Sequence, residues 1–436
     1  MKNLKLLNLL LLAVVVLSAS CKKNNDEPTP VTSVNTIASS ISTNTTLTAN
    51  TKWILEGTVE VKDGATLTIE PGTVIEAKSD ANYVLVVNRG GKIMAEGTVS
   101  KPIVFTASVK KLGAWGGIML IGKATTNRTA AQKTEGFIQF DYGTDKVDND
   151  NSGVLKYVRI EYAGLAYAPD KEINALSLYA VGNGTTLSYI ETFYSNDDAF
   201  EFFGGTVNAD HLVAYGTVDD DLDFDFGYNG TIQYAVALRV PEIADAKDAA
   251  NGIELDNDAT GTAATPISKP IVKYLTLIGP NGAANTAANH AYAARLRRSA
   301  KFDIQNTIFL GHQKGLMLES SDVATGYQNG QSTIKNIIIA TTSSGSTQVP
   351  YWNVALNAET IFTSQTSFDA VFKVSSSNNQ VLAVTDVKLT KPFDTTAPNF
   401  RPTSDSPALA GGIQIGAFDA TTDWTAQWCR WGRYDQ

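Results

Sequence analysis

Lys156-Tyr157-Val158-Arg159-Ile160 returns as Ser188-Tyr189-Ile190-Glu191 and again as His211-Leu212-Val213-Ala214. The same short apolar strand recurs in Gln233-Tyr234-Ala235-Val236, Lys273-Tyr274-Leu275-Thr276-Leu277, Asn306-Thr307-Ile308-Phe309 and Asn336-Ile337-Ile338-Ile339. Aligning Val158, Ile190, Leu212, Ala235, Leu275, Thr307 and Ile337 gives spacings of 32, 22, 23, 40, 32 and 30 residues. A strand that recurs at such a period marks a solenoid, because one coil cannot bury its apolar face alone and must stack on its neighbours. The shortest steps fit one coil of a β-helix, and the longer ones need loop insertions. A propeller blade, with four strands in about 40 residues, does not fit the short steps. The sequence therefore predicts an all-β chain folded as a right-handed parallel β-helix.

The pattern extends toward the N-terminus. Val59, Val61, Leu67, Ile69, Val74 and Ile75 fall in short strands broken by Asp63-Gly64 and Pro71-Gly72, which are turn signals. Leu85-Val86-Val87, Ile93 and Ile103-Val104-Phe105 continue it. Ala283–Arg298 is the best helical stretch, weakened by its asparagines.

The first residues read as an export signal. Lys2 and Lys5 precede an apolar run from Leu6 to Leu17 that is too short to remain as a membrane span. Leu17-Ser18-Ala19-Ser20-Cys21 resembles a bacterial lipobox, with its leucine one place further from the cysteine than is usual. This gives a signal peptide over 1–20, acylation of Cys21, a Pro-containing polar tether to residue 35, and one β-helix domain over 36–436. Cys429 is then the one remaining cysteine, so no disulfide framework supports the fold and a large core must. Removing residues 1–20 takes two lysines and no acid from a chain of net charge −9, which makes the mature chain still more acidic. With only Arg295, Arg297 and Arg298 clustered, it is no candidate for nucleic acid.

Several segments carry a resemblance: Glu56-Gly57-Thr58-Val59, Leu67 to Ile75, Gly97 to Thr106, Trp115-Gly116-Gly117-Ile118 and Asp197 to Asn208. The chain from about residue 50 to its Trp-rich end resembles uncharacterised β-helix surface lipoproteins of Gram-negative bacteria. The resemblance implies anchoring in the outer membrane through the N-terminal lipid, at the cell surface, and company with nutrient-uptake proteins. It implies no reaction.

The most informative polar feature is an acidic ladder. Phe200-Glu201-Phe202, Leu222-Asp223-Phe224 and Ile253-Glu254-Leu255 share an apolar–acid–apolar pattern that turns the acid outward. Glu201 and Asp223 are one coil apart, which stacks them about 4.8 Å from each other. Asp197 and Asp198 stand at the same offset from Asp219 and Asp220. Stacked like charges raise each other's pKa unless something neutralises them, and clustered carboxylates suit Ca²⁺. The candidate calcium ligands are Asp197, Asp198, Glu201, Asp219, Asp220, Asp221, Asp223 and Asp225. The same acids also suit a solvated face that keeps the solenoid soluble. A third reading makes two of them the acid and base of a glycosidase, or of the calcium-dependent uronate lyases this fold hosts. No basic residue adjoins the ladder in sequence, so that reading looks to Arg159 or Arg239 from neighbouring coils.

Other motifs are weaker. Asp148-Asn149-Asp150-Asn151-Ser152-Gly153 opens like an EF-hand loop but has Arg159 at its twelfth position, which favours a plain polar loop. Gly117 to Ala124 nearly spells a P-loop, yet its middle residues are apolar and read as a buried strand. His211, His290 and His312 are scattered, with His211 placed at a coil corner, and no zinc motif or nucleophile elbow is present. Trp424, Trp428, Trp431, Phe418 and Tyr434 are expected to cap the last coil, with a sugar platform as the alternative. With no complete catalytic motif, the sequence favours a non-catalytic binding protein for a glycan or an outer-membrane transporter.

Overall fold

The computed structural model describes residues 30–79, 82–166, 172–342 and 351–433. The signal peptide, Cys21, most of the tether and Tyr434 lie outside the described residues. The chain is a parallel β-helix, with a 15-stranded sheet and a 10-stranded sheet whose neighbouring strands come from successive coils. Val158 pairs with Ile190, Ile190 with Leu212, Ala235 with Leu275, and Thr307 with Ile337, all in parallel. The register is therefore the one the spacings give. The solenoid begins slightly earlier than the sequence suggests: Ser33–Ile37 already pairs with Thr51–Leu55.

The wide sheet is bent into two faces. In the first coils the bend is a turn between separate strands, as between Thr66–Ile69 and Val74–Ala77 across Pro71-Gly72. From Gly153–Glu161 onward each coil runs as one long strand with a single left-handed residue in its middle. These residues are Tyr157, Tyr189, His211, Tyr234, Tyr274, Asn306 and Asn336, with φ between 49° and 55° or, for Tyr274, 58°. A side chain in that region is strained by about 1–3 kcal/mol. Ring stacking offsets it. Tyr157 lies 4.4 Å from Tyr189, Tyr189 4.1 Å from His211, His211 5.1 Å from Tyr234, and Tyr234 5.0 Å from Tyr274, all with nearly parallel planes. The last two coils use asparagine, which tolerates the conformation by itself, and Asn336 donates to Asn306 at 3.3 Å.

The interior is the expected apolar column. Leu155, Val158, Ile160, Leu187, Ile190, Phe202, Phe224, Leu255 and Leu277 are all buried. Trp115 sits in it and donates to the Glu161 carbonyl at 2.9 Å, and Gly117–Ile121 is a wholly buried strand. The Ala283–Arg298 stretch is not helical: its second half is the strand Tyr292–Arg297. Alternating outward arginines decide it, and the described helices form instead at Ser321–Gln328 and Gln365–Phe372.

The Trp-rich tail does not cap the last coil. Trp352, Phe362, Phe368 and Phe372 do so from around the Gln365–Phe372 helix, with Trp352 stacked on Phe368 at 4.5 Å. An amphipathic helix closes a sheet end without leaving its own backbone unpaired, which a run of tryptophans cannot do. The tail instead returns along the second face of the wide sheet. Trp428 packs edge-on against Tyr157 and Tyr189, Trp424 against His211, and Trp431 against Tyr215. Arg430 donates its backbone N–H to Glu191 at 2.9 Å and pairs with Glu161 at 3.0 Å.

Candidate functional site

The ten-stranded sheet builds the acidic face. Its register sets Ser177 beside Glu201, Glu201 beside Asp223, Asp223 beside Glu254, and Glu254 beside Arg295. Apolar neighbours in each strand bury inward, so these five side chains form one outward row.

A second row holds the corner that leads into these strands. The Asn174 side-chain carbonyl accepts from the Asp198 N–H at 3.2 Å, and Asp198 Oδ1 from the Asp220 N–H at 2.7 Å. Asp220 Oδ1 accepts from the Asn251 N–H at 2.6 Å, and the Asn251 side chain from the Tyr292 N–H at 3.2 Å. Sequence reasoning missed this row, although its signal was available. Asn174-Ala-Leu-Ser-Leu, Asp198-Ala-Phe-Glu-Phe, Asp220-Asp-Leu-Asp-Phe and Asn251-Gly-Ile-Glu-Leu share an Asx three places before the outward residue.

The eight candidate ligands therefore separate. Asp221 occupies the inward position of Ala199 and Gly252; it is 1% exposed and pairs at 3.0 Å with Arg239, itself 1% exposed. A charge inside the solenoid needs a partner there, so Asp221 is an internal ion pair and not a surface ligand. Asp220 spends one oxygen on the corner row. Asp225 closes its strand, accepting from the Phe226 N–H at 2.6 Å. The remaining five converge: among the described residues, oxygens of Asp197, Asp198 and Asp219, and of Asp198, Glu201 and Asp223, lie within 4.8 Å of one another. Asp219 Oδ1 and Asp223 Oδ1 are shielded from solvent and have no hydrogen-bond partner among the described residues.

Electrostatics follow from this crowding. Burial first, and neighbouring carboxylates second, push Asp197, Asp198, Glu201 and Asp223 well above the ordinary carboxyl range. Burial, then Glu254 and Asp245, raises Asp219 to about 8.

One member was not legible. Glu135 comes from the insertion between Gly117–Ile121 and Gly153–Glu161, and the Asn174 amide donates both to it, at 3.3 Å, and to Glu201. Burial and Glu172 raise it to about 8. A lone Glu in a polar insertion offers no periodicity to betray it. The insertion is pinned by Asn127 donating to the Asn257 carbonyl at 2.7 Å and by Arg128 over the Phe226 ring at 4.8 Å. The EF-hand-like residues serve the same end: Asp148 accepts from the Thr125 N–H at 2.9 Å and Asp150 from that of Lys123 at 3.1 Å.

The basic partners are also not those expected. Arg239 is inside with Asp221, and Arg159 lies on the wide sheet against Glu161 at 3.2 Å. The ladder instead ends on Arg295, Arg297 and Arg298. Arg297 holds Glu254 and Asp256, the latter at 2.8 Å; Arg298 reaches Asp256 at 2.6 Å; Arg295 reaches Glu254 at 3.3 Å and Glu319 at 2.9 Å.

This arrangement offers clustered hard oxygens for a divalent cation and carboxyls raised into a range useful for proton transfer. Residues 39–428 match the family model described as a pectate-lyase-like β-helix domain. No curated protein and no solved structure matches the chain.

Proposed function

The chain belongs to the pectate-lyase-like β-helix family, and from that premise we propose that it is a lipid-anchored, extracytoplasmic, non-catalytic binding protein whose acidic face takes Ca²⁺ and whose ligand is a glycan. A partner in uptake at the outer membrane is the companion role. The observation that carries the cation is the pair of buried, unpartnered oxygens on Asp219 and Asp223 within a five-carboxylate cluster. Oxygens so placed need a proton or a cation to balance their desolvation. Asp197, Asp198, Glu201, Asp219 and Asp223 would supply the ligands, all hard oxygens of the kind calcium takes. The anchoring rests on the lipobox at Cys21, and the outer-membrane surface location on the resemblance to β-helix surface lipoproteins.

The test is a calorimetric calcium titration of the chelator-treated full chain in detergent. Saturable binding on the order of micromolar, lost in Asp223→Asn, is the expected result; no heat at millimolar calcium overturns the cation site.

A catalytic reading has one observation of its own, the Asn174 amide that links Glu135 to Glu201 and holds two perturbed carboxyls together. It requires that the protein shorten an acidic polysaccharide, seen as unsaturated-product absorbance or new reducing ends, and that Glu201→Gln abolish the cleavage.

A further inference from the structure

The first face of the wide sheet lies away from the acidic ladder, and the returning tail stops at its border. Along it the outward side chains form two rows across the coils. One row runs Thr186, Asn208, Thr231, and the other Asp210, Gln233, Lys273, each set aligned by the strand register. These six residues line a shallow concavity of about 410 Å³. Each coil adds one hydroxyl, amide or charged group to a row, at a repeat of about 4.8 Å. Asp210 and Lys273 stand two coils apart in one row, and Asp210 is already engaged, paired with His211 at 2.5 Å and accepting from Ser188 at 2.6 Å. The border is aromatic: Tyr234 and Tyr274 stack at 5.0 Å with an interplanar angle of 8° and remain partly exposed.

We propose that this groove binds a linear, uncharged polysaccharide laid across the coils, with its hydroxyls on the two polar rows and its apolar C–H groups against the outward ring edges of the stacked Tyr234–Tyr274 border. A protein partner would need an apolar, aromatic centre, whereas here the centre is hydroxyl and amide and the rings stand at the margin. A nucleic acid would need a basic stripe, and the two rows hold a single lysine. A polysaccharide matches what remains: repeated hydroxyls that give and accept hydrogen bonds, and weakly apolar C–H surfaces that suit an amphipathic tyrosine border. Contact with several coils in turn is how a solenoid gathers affinity from an extended ligand. The inference rests on the glycan-binding reading but not on the cation.

The test uses the full chain in detergent and three neutral probes, cellohexaose, xylohexaose and mannohexaose, followed by calorimetry and tyrosine/tryptophan fluorescence. One hexasaccharide is expected to bind roughly tenfold or more tighter than its disaccharide. Gln233→Ala combined with Lys273→Ala, at partly exposed positions, should weaken it roughly tenfold with melting temperature unchanged, and Tyr234→Phe should leave it intact where Tyr234→Ala weakens it. Chelator should not alter it. Failure of all three probes to bind overturns the groove, as does binding that vanishes with chelator and survives the double variant. Calcium binding without oligosaccharide binding sinks this inference and leaves the cation site standing.

Discussion

Two stretches of one ladder face opposite electrostatic fates. In the coils of Glu201 and Asp223 the carboxylates face chiefly other carboxylates, Glu135 and Glu254 among them. One coil further, Glu254 and Asp256 meet Arg295, Arg297 and Arg298. Burial dominates in both places, but Arg297 and then Arg295 pull Glu254 back, so that it rises only to about 7, while Asp223 goes well above the ordinary range, with three carboxylates outweighing Arg297. The same backbone therefore makes a self-neutralised structural end and an end that awaits a proton or a cation.

The largest effect should come from breaking the self-neutralised end. Arg297→Met leaves Glu254 and Asp256 buried without their main partner, and removing one member of a buried ion pair typically costs about 3–5 kcal/mol. Thermal unfolding of the cation-free protein should show this loss, and calcium should not restore it. Recovery with calcium would mean that the two ends are one site.

Next comes the pH response of the acidic end. A carboxyl whose folded pKa exceeds its unfolded value of about 4 holds its proton more tightly when folded, so it favours folding at low pH. That contribution disappears as pH rises toward the folded value, about 8 for Asp219 and Glu135. The cation-free melting temperature should therefore fall between pH 5 and pH 8. Calcium should raise it more at pH 8 than at pH 5, because there it competes with fewer protons. In Asp223→Asn, which removes one repelling charge, the cation-free protein should gain roughly 1 kcal/mol at pH 8 and lose most of its calcium response. A melting temperature that is flat across this range would show the carboxylates to be solvated after all.

The sequence made the fold legible because it is periodic. Val158, Ile190, Leu212 and their successors are the inward rung residues, and their spacing is the register itself. It made the outward ladder legible for the same reason, since apolar neighbours fix the direction of Glu201, Asp223 and Glu254. Asp221 misled because a count of acids does not say which side of the strand each faces; its alignment with Ala199 and Gly252 does. Glu135 and the tail tryptophans were beyond reach, since an insertion and a returning strap dock by contacts between residues far apart in the chain, such as Asn127 with Asn257 and Arg430 with Glu191. The solenoid period carries no record of them.

The smallest effect separates the two jobs of Asp198, which supports the corner and belongs to both carboxylate groups. Its row already contains Asn174 and Asn251, whose amide oxygens accept the same backbone N–H one coil apart. Asp198→Asn therefore keeps the acceptor for the Asp220 N–H and should change the cation-free stability by less than about 0.5 kcal/mol. Asp198→Ala leaves that N–H buried and unpaired, which costs about 1–3 kcal/mol. Both remove a charged ligand oxygen, so both should weaken calcium binding. If Asp198→Asn leaves calcium affinity untouched, the corner is the whole role of this residue, and the cation, if bound, is held by Glu201, Asp219 and Asp223 without it.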